Sequence, residues 1–238
     1  IRIIMIVGIT GFIGSGKDTV AKMLVEKGAV QDSFAAPLKD LCASVFGWPR
    51  DMLQGDTVES RDFRETPDMY WTRKLGIDQF TPRLALQLLG TEIMRTHFNQ
   101  DIWLDSLEYR IRKNEQQDTM VVVSDCRFKN ELDLIKELNG IVVHVIRDEL
   151  PEWYETAVHA NKGSVPAKHT METRFAKVHA SEWKWVGYDF DFVIKNSGTL
   201  EDLQTEVDSM YSDMQNRKSK LKYALNKDNV VNIVDRDK

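Results

Sequence analysis

Cysteine is nearly missing from this chain of 238 residues: Cys42 and Cys126 are its only two. That excludes a disulfide framework and suits a reducing compartment, so a cytoplasmic protein is expected. No run of 18 apolar residues occurs, so no segment reads as a membrane span. Positive charge is not in excess either. Lys and Arg number 32 against 37 Asp and Glu, a net charge of −5, whereas nucleic-acid-binding surfaces are usually basic. His159, His169 and His179 are too far apart for a zinc site. No Ser-His-Asp or paired-carboxylate arrangement is legible. Position 1 is Ile rather than Met, which makes Met5 the candidate start. The short apolar piece around it runs straight into a loop and reads as a strand, not a secretion signal.

What is present begins at Ile3. Residues 3 to 7 are continuously apolar, as a buried parallel strand requires. Gly11-Phe12-Ile13-Gly14-Ser15-Gly16-Lys17 follows, with the G-x-x-x-x-G-K spacing of a phosphate-binding loop. Glycines let backbone N–H groups turn inward around an anion. Lys17 can reach outer phosphates, and the helix opening near Gly16 points its positive end at them. Asp18 stands where Ser or Thr usually follows the lysine, and Thr19 comes one residue later. An acid so near phosphates predicts a cation between them, so Asp18 or Thr19 is expected at a Mg²⁺ site, through water.

The 42% apolar content suffices for a sizeable core. A helix from Thr19 to Lys27 closes at Gly28, and 29–35 reads as a short strand. Pro37 opens a helix with Lys39 in its first turn, either a solvated lysine or a phosphate ligand. Residues 47–80 look irregular. Thr81-Pro82 starts a helix with an apolar face, and beside that face run Arg83, Gln87, Thr91 and Arg95 at four-residue spacing. The stripe fits a nucleotide-reading surface or an ordinary amphipathic helix, and Gly90 favours a close approach to its backbone. Residues 120–124 form a strand ending in Asp125-Cys126-Arg127, at a strand end where open α/β sheets bind ligands. Asp125 and Arg127 read as ligand groups, or as a structural pair capping the helix from 128 to 138. Strand 141–146 ends at Arg147. Residues 148–188 read as an insertion able to close over a phosphate. Strand 189–195, a turn at 196–198, a helix from Thr199 and, from 216, a tail or a terminal helix complete the chain.

These stretches together resemble the phage-type deoxynucleoside monophosphate kinases of the P-loop nucleoside monophosphate kinase superfamily. The matches are GSGKDT at 14–19, SFAAPLK at 33–39, QLLGTEIMR at 87–95 and SDCRFKNE at 124–131. HVIR at 144–147, HASE at 179–182 and NSGTLEDL at 196–203 continue the series, so the likeness covers about residues 3–212. The resemblance implies a three-layer α/β P-loop fold around a mainly parallel five-stranded sheet. One domain would span 1–215, with an acceptor-binding insertion at about 36–118, a lid at about 148–188, and a tail over 216–238. It implies transfer of the ATP γ-phosphoryl group to a deoxynucleoside monophosphate, with Mg²⁺. Gly11, Ile13, Gly14, Ser15, Gly16, Lys17, Asp18 and Thr19 would hold ATP, with Asn196 near the adenine. Lys39, Gln87, Thr91, Arg95, Trp103, Asp125, Arg127, Glu131, Ser181 and Glu182 would hold the acceptor. Lys17, Asp125, Arg127 and Arg147 would serve catalysis. The implied partners are small-molecule nucleotides, with a homodimer allowed and neither nucleic acid nor membrane; a phage-encoded protein would work in the host cytoplasm. The rival readings are another small-molecule P-loop kinase, such as a dephospho-coenzyme A or phosphomevalonate kinase, and a non-catalytic ATP-binding regulatory module.

Overall fold

The computed structural model describes residues 4–113, 119–147 and 149–234; Ile3 therefore lies outside it. Strand β1 (Met5–Thr10) is buried throughout, as its unbroken apolar sequence demands. It is followed by helix α1 (Lys17–Glu26) and strand β2 (Val30–Asp32), the latter shorter than the 29–35 expected. Helix α2 (Ala36–Phe46) carries Pro in its first turn and ends on left-handed Gly47. Then come α3 (Val58–Glu65), α4 (Met69–Leu75) and α5 (Pro82–Gln87). Helix α6 (Ile102–Lys113), strand β3 (Met120–Val123), helix α7 (Lys129–Glu137) and strand β4 (Ile141–Ile146) follow. The chain closes with α8 (Tyr154–Asn161), α9 (Val165–Thr173), α10 (Ala180–Trp183), β5 (Phe192–Lys195) and α11 (Leu200–Val234).

The five strands pair in the order β2-β3-β1-β4-β5, all parallel. Both faces are covered, which is why the central strands lack polar alternation. On one face Val7, Ile9, Val143 and Val145 pack with Val20 and Leu24 of α1 and with Leu203, Val207 and Met210 of α11. On the other lies α7, whose Leu132 and Ile135 are fully buried. Gly8 makes that packing close: a Cβ there would stand 2.8 Å from Ile135 Cγ1. This is the three-layer α/β arrangement expected.

The chain falls into two compact units, one of residues 1–33 and 110–238, the other of residues 34–109. In the first, Arg110 donates to both carboxylate oxygens of Asp32 and to the Ser33 carbonyl, tying together the points where the chain leaves and returns. The second has its own core of Leu38, Cys42, Trp48, Leu53, Phe80, Leu86 and Trp103.

Three stretches differ from expectation. Residues 47–80 are not irregular: Thr57 and Asp68 cap α3 and α4 by accepting backbone N–H bonds. The signal there is capping rather than apolar period. Beyond α5 the chain does not continue as a regular α-helix but widens to i→i+5 spacing over Leu88–Phe98. Finally, of the tail and the terminal helix that the stretch from 216 allows, the chain forms the helix. Helix α11 runs unbroken to Val234 because no Gly or Pro follows Gly198 to stop it. Arg217 still docks, 3.8 Å from Asp191 and over the Phe192 ring.

Gly90 has a packing explanation. It is buried, a Cβ would meet Leu38 Cδ2 at 2.6 Å, and its carbonyl accepts the Trp103 indole N–H at 2.9 Å. Replacing that donor leaves a buried carbonyl unpaired. Trp103→Phe is therefore expected to cost about 1–3 kcal/mol, read as a lower urea midpoint at unchanged m-value.

Candidate active site

The loop after β1 is shaped by close backbone packing. Gly11 has φ +151°, and a Cβ there would run into the Val145 carbonyl oxygen and Ser15 Oγ. Gly16 is the N-cap of α1 in the left-handed region, with no side chain capping the helix. A Cβ on Gly16 would strike Asn196 Nδ2, which donates instead to the Ser15 carbonyl at 2.9 Å. The first turn of α1 thus keeps N–H groups without helical acceptors. Ser15 Oγ is buried and makes no hydrogen bond among the described residues. These are the features of a cradle for an anion.

Lys17 lies inside that cradle, buried, with its ammonium donating to the Gly11 carbonyl at 2.8 Å and the Phe12 carbonyl at 2.7 Å. Its pKa is lowered to about 8, first by desolvation and then by the Arg127 guanidinium; Asp18 and Glu182 pull the other way. Four charges therefore share this end of the sheet.

Arg127 is held from both sides. Its guanidinium pairs with Glu182 at 2.9 Å. Its backbone N–H, and that of Phe128, donate to Glu131 Oε2 at 2.7 and 3.1 Å. Glu131 is buried and completes the capping box of α7, so its carboxylate is spent on placing Arg127. Asp125 follows β3 directly and is only partly buried. Asp18 accepts a 3.3 Å hydrogen bond from Ser124, which in turn accepts one from Gln31 at 3.3 Å. Thr19 is half-buried one residue further along.

On the 148–188 stretch, His179 caps α10, its ring nitrogen Nδ1 2.8 Å from Ser181 Oγ. That places Glu182 on α10, facing Arg127. Arg147 reaches the Gly14 carbonyl at 3.5 Å. Ile13 and Gly14 stand exposed at the loop tip.

The unit of residues 34–109 holds the other expected site residues. Lys39 donates to Gln54 at 3.0 Å. Gln87 and Thr91 are exposed and Arg95 is half-buried, while Arg83 of the same stripe pairs with Glu65. Trp103 is 6% exposed with its N–H committed to Gly90.

Sequence reasoning missed Ser124, Gln31, Phe12 and His144. Ser124 directly precedes Asp125 at a strand end and was open to notice. His144 is 1% exposed, its pKa lowered to about 4 by desolvation and then by Lys17, and its Nε2 has no partner. It opens the HVIR match, but its place in the site is set only by β4 register, which puts it beside Thr10.

Two expectations follow. Anion binding needs the charged form of Lys17, which the unliganded protein loses as pH rises through about 8. Affinity for a nucleoside triphosphate should therefore fall by up to about tenfold per pH unit above that value, measurable by calorimetry from pH 7 to 9.5. Glu131→Ala should cost about 1 kcal/mol in denaturant unfolding, since it removes the acceptor of two part-buried N–H groups.

The family described as Deoxynucleotide monophosphate kinase matches residues 53–170. A candidate deoxynucleotide monophosphate kinase of Acanthamoeba polyphaga mimivirus is 29% identical over 213 residues, covering 85% of this chain and 94% of its own. The deoxynucleoside-5'-monophosphate kinase of Escherichia phage T5 is 27% identical, over 69% of this chain and 86% of its own. The deoxynucleotide monophosphate kinase of Enterobacteria phage T4 is 26% identical, over 55% of this chain and 45% of its own. Among solved structures, the dephospho-CoA kinase of Campylobacter jejuni matches 89% of this chain and 97% of its own with 15% identity. Its TM-score of 0.43 is too low to bear on function. The matched family and the three relatives are all described as deoxynucleotide or deoxynucleoside monophosphate kinases, and these are what this chain is similar to.

Proposed function

We propose that this chain transfers the γ-phosphoryl group of ATP to a deoxynucleoside monophosphate, giving ADP and the deoxynucleoside diphosphate. One observation supports this most: the buried Lys17 ammonium donates to two loop carbonyls, and burial and then the Arg127 guanidinium lower its pKa. Cations crowded together at a sheet's C-terminal edge are stabilised by anions between them, and two phosphates meeting end to end supply these.

The reaction forms a bond from an acceptor phosphate oxygen to Pγ and breaks the Pγ–O bond to the β-phosphate. Its transition state is loose, with charge spread over the equatorial oxygens. The attacking oxygen is already anionic, so no general base is needed. In this reading Gly11, Ile13, Gly14, Ser15, Gly16 and Lys17 cradle the donor phosphates, and Lys17 and Arg127 carry the developing charge. Arg147, directly after β4, approaches through the Gly14 carbonyl, and Asn196 braces the loop at the Ser15 carbonyl. Asp125 and Glu182 orient Arg127 and the acceptor, with Ser181 beside them. Glu131 acts only through Arg127. Lys39, Gln87, Thr91 and Arg95 are assigned to the acceptor, and Trp103 to shaping the backbone beneath them.

Hard oxygen donors on Asp18 and Thr19 suit a divalent cation such as Mg²⁺. Among the described residues no group of three His, Cys, Asp or Glu could hold an ion without other ligands. When bound, the cation would neutralise donor-phosphate charge, its remaining ligands being phosphate oxygens and water. Asp18 is kept aimed by its bond from Ser124.

The chemistry belongs to the cytoplasm, where ATP and nucleoside monophosphates occur together. The test is ATP with a panel of deoxynucleoside and ribonucleoside monophosphates, dephospho-coenzyme A and phosphomevalonate. ADP should appear with deoxynucleoside monophosphates. Lys17→Met should lower turnover at least about a thousandfold with the circular dichroism spectrum retained. ADP formation only with a non-nucleotide acceptor, or wild-type turnover in the folded variant, would overturn the reading.

A further inference from the structure

Phe12 fills the first variable position of the phosphate loop, where phosphate binding itself asks for no ring. Its backbone and its side chain are engaged by different parts of the chain. The Phe12 carbonyl accepts the Ser15 N–H at 3.2 Å and the Lys17 ammonium at 2.7 Å. The ring packs into the stretch beyond β4: edge-on to Trp153 at 5.6 Å and Tyr154 at 6.2 Å, and tilted against Trp185 at 4.9 Å. Trp185 is 1% exposed. Its surroundings are pinned by Asn161, which donates to the Trp183 and Val186 carbonyls at 2.7 and 2.8 Å. The ring's pocket is therefore firm.

An ammonium has three N–H donors, and Lys17 spends two on Gly11 and Phe12. The third is left for a phosphate, so an anion bound there shares one ammonium with the Phe12 carbonyl. Phe12 is thus the residue whose backbone feels the donor arrive and whose ring touches Trp153, Tyr154 and Trp185.

We propose that Phe12 is a positioning residue joining the donor-phosphate loop to the Trp153–Trp185 stretch, so that seating the donor and placing that stretch form one event. The proposal rests on the kinase reading above. It explains why an aromatic side chain stands inside a loop otherwise built for backbone contacts. It also gives the buried aromatic cluster a role besides packing.

The full chain is compared with Phe12→Ala, Phe12→Leu and Trp153→Phe, the last identifying the Trp153 share of intrinsic fluorescence. In Phe12→Ala, KM for ATP should rise about tenfold while KM for the deoxynucleoside monophosphate stays within about twofold. The change in Trp153 emission on titrating ADP should be lost. Phe12→Leu keeps apolar volume without a ring, folds where the Ala variant does not, and should move both readouts in the same direction by less. A folded Phe12 variant with wild-type KM for ATP and a full Trp153 response would overturn the proposal. Failure of the wild-type chain to phosphorylate any deoxynucleoside monophosphate would instead sink the kinase reading, with the response to ADP still deciding whether loop and stretch are joined.

Discussion

An ammonium group taken out of water and hydrogen-bonded to peptide carbonyls is costly to maintain, and Lys17 is such a group. The rest of the core unit is arranged around that cost. Strand β1 must be buried on both faces to bring the loop to the sheet's edge. Gly11 must lack a Cβ so that the chain can turn flush against Val145. Asp18 and Glu182 offset part of the repulsion from Arg127, yet the lysine pKa still lies well below its ordinary value. A site in this condition gains more from an incoming phosphate than a solvated lysine would, because the anion replaces weak neutral partners with a full opposite charge.

The second cation is positioned with equal care, by other means. Arg127 follows β3 on a short connection, and what fixes it is the buried carboxylate of Glu131, reaching back to two backbone N–H groups at the start of α7. A helix cap here has the effect of a catalytic support: the same bonds that satisfy the helix terminus hold the arginine's backbone. Glu182 then fixes the guanidinium from α10. A third of the side chain's surface stays open to solvent, so that pair is partly screened. It is better suited to orientation than to stability, and to exchange for a phosphate oxygen of stronger charge.

Much of this was legible in the sequence, for reasons that differ from one element to the next. Parallel strands announce themselves as unbroken apolar runs, and β1, β3 and β4 were all placed from that signal. The phosphate loop was legible because its chemistry is local: glycines, a lysine and a helix start need only their own spacing. Residues 47–80 were misread because α3 and α4 are short and held by caps and an aromatic cluster, and neither leaves a periodic trace. The end of the chain leaves tail and terminal helix open because its polar composition masks the absence of any helix breaker after Gly198. Gly90 was read as an approach point for a ligand, whereas its neighbour is Leu38.

By itself, then, the sequence determined what is local: the strand, the turn into a helix, and the placement of a lysine and an acid within one turn of each other. It also supplied the arginines and acids found at the strand ends. Only the tertiary structure decided how they pair. Glu131 reaches the backbone of Arg127 within one helix start, whereas Glu182 serving its side chain follows from where α10 lies. That Phe12, His144 and Trp185 form one cluster follows from the strand order and register. Residues 41 to 173 positions apart are brought into contact by burial of apolar faces. That force acts between elements and leaves no mark in the spacing of any single stretch.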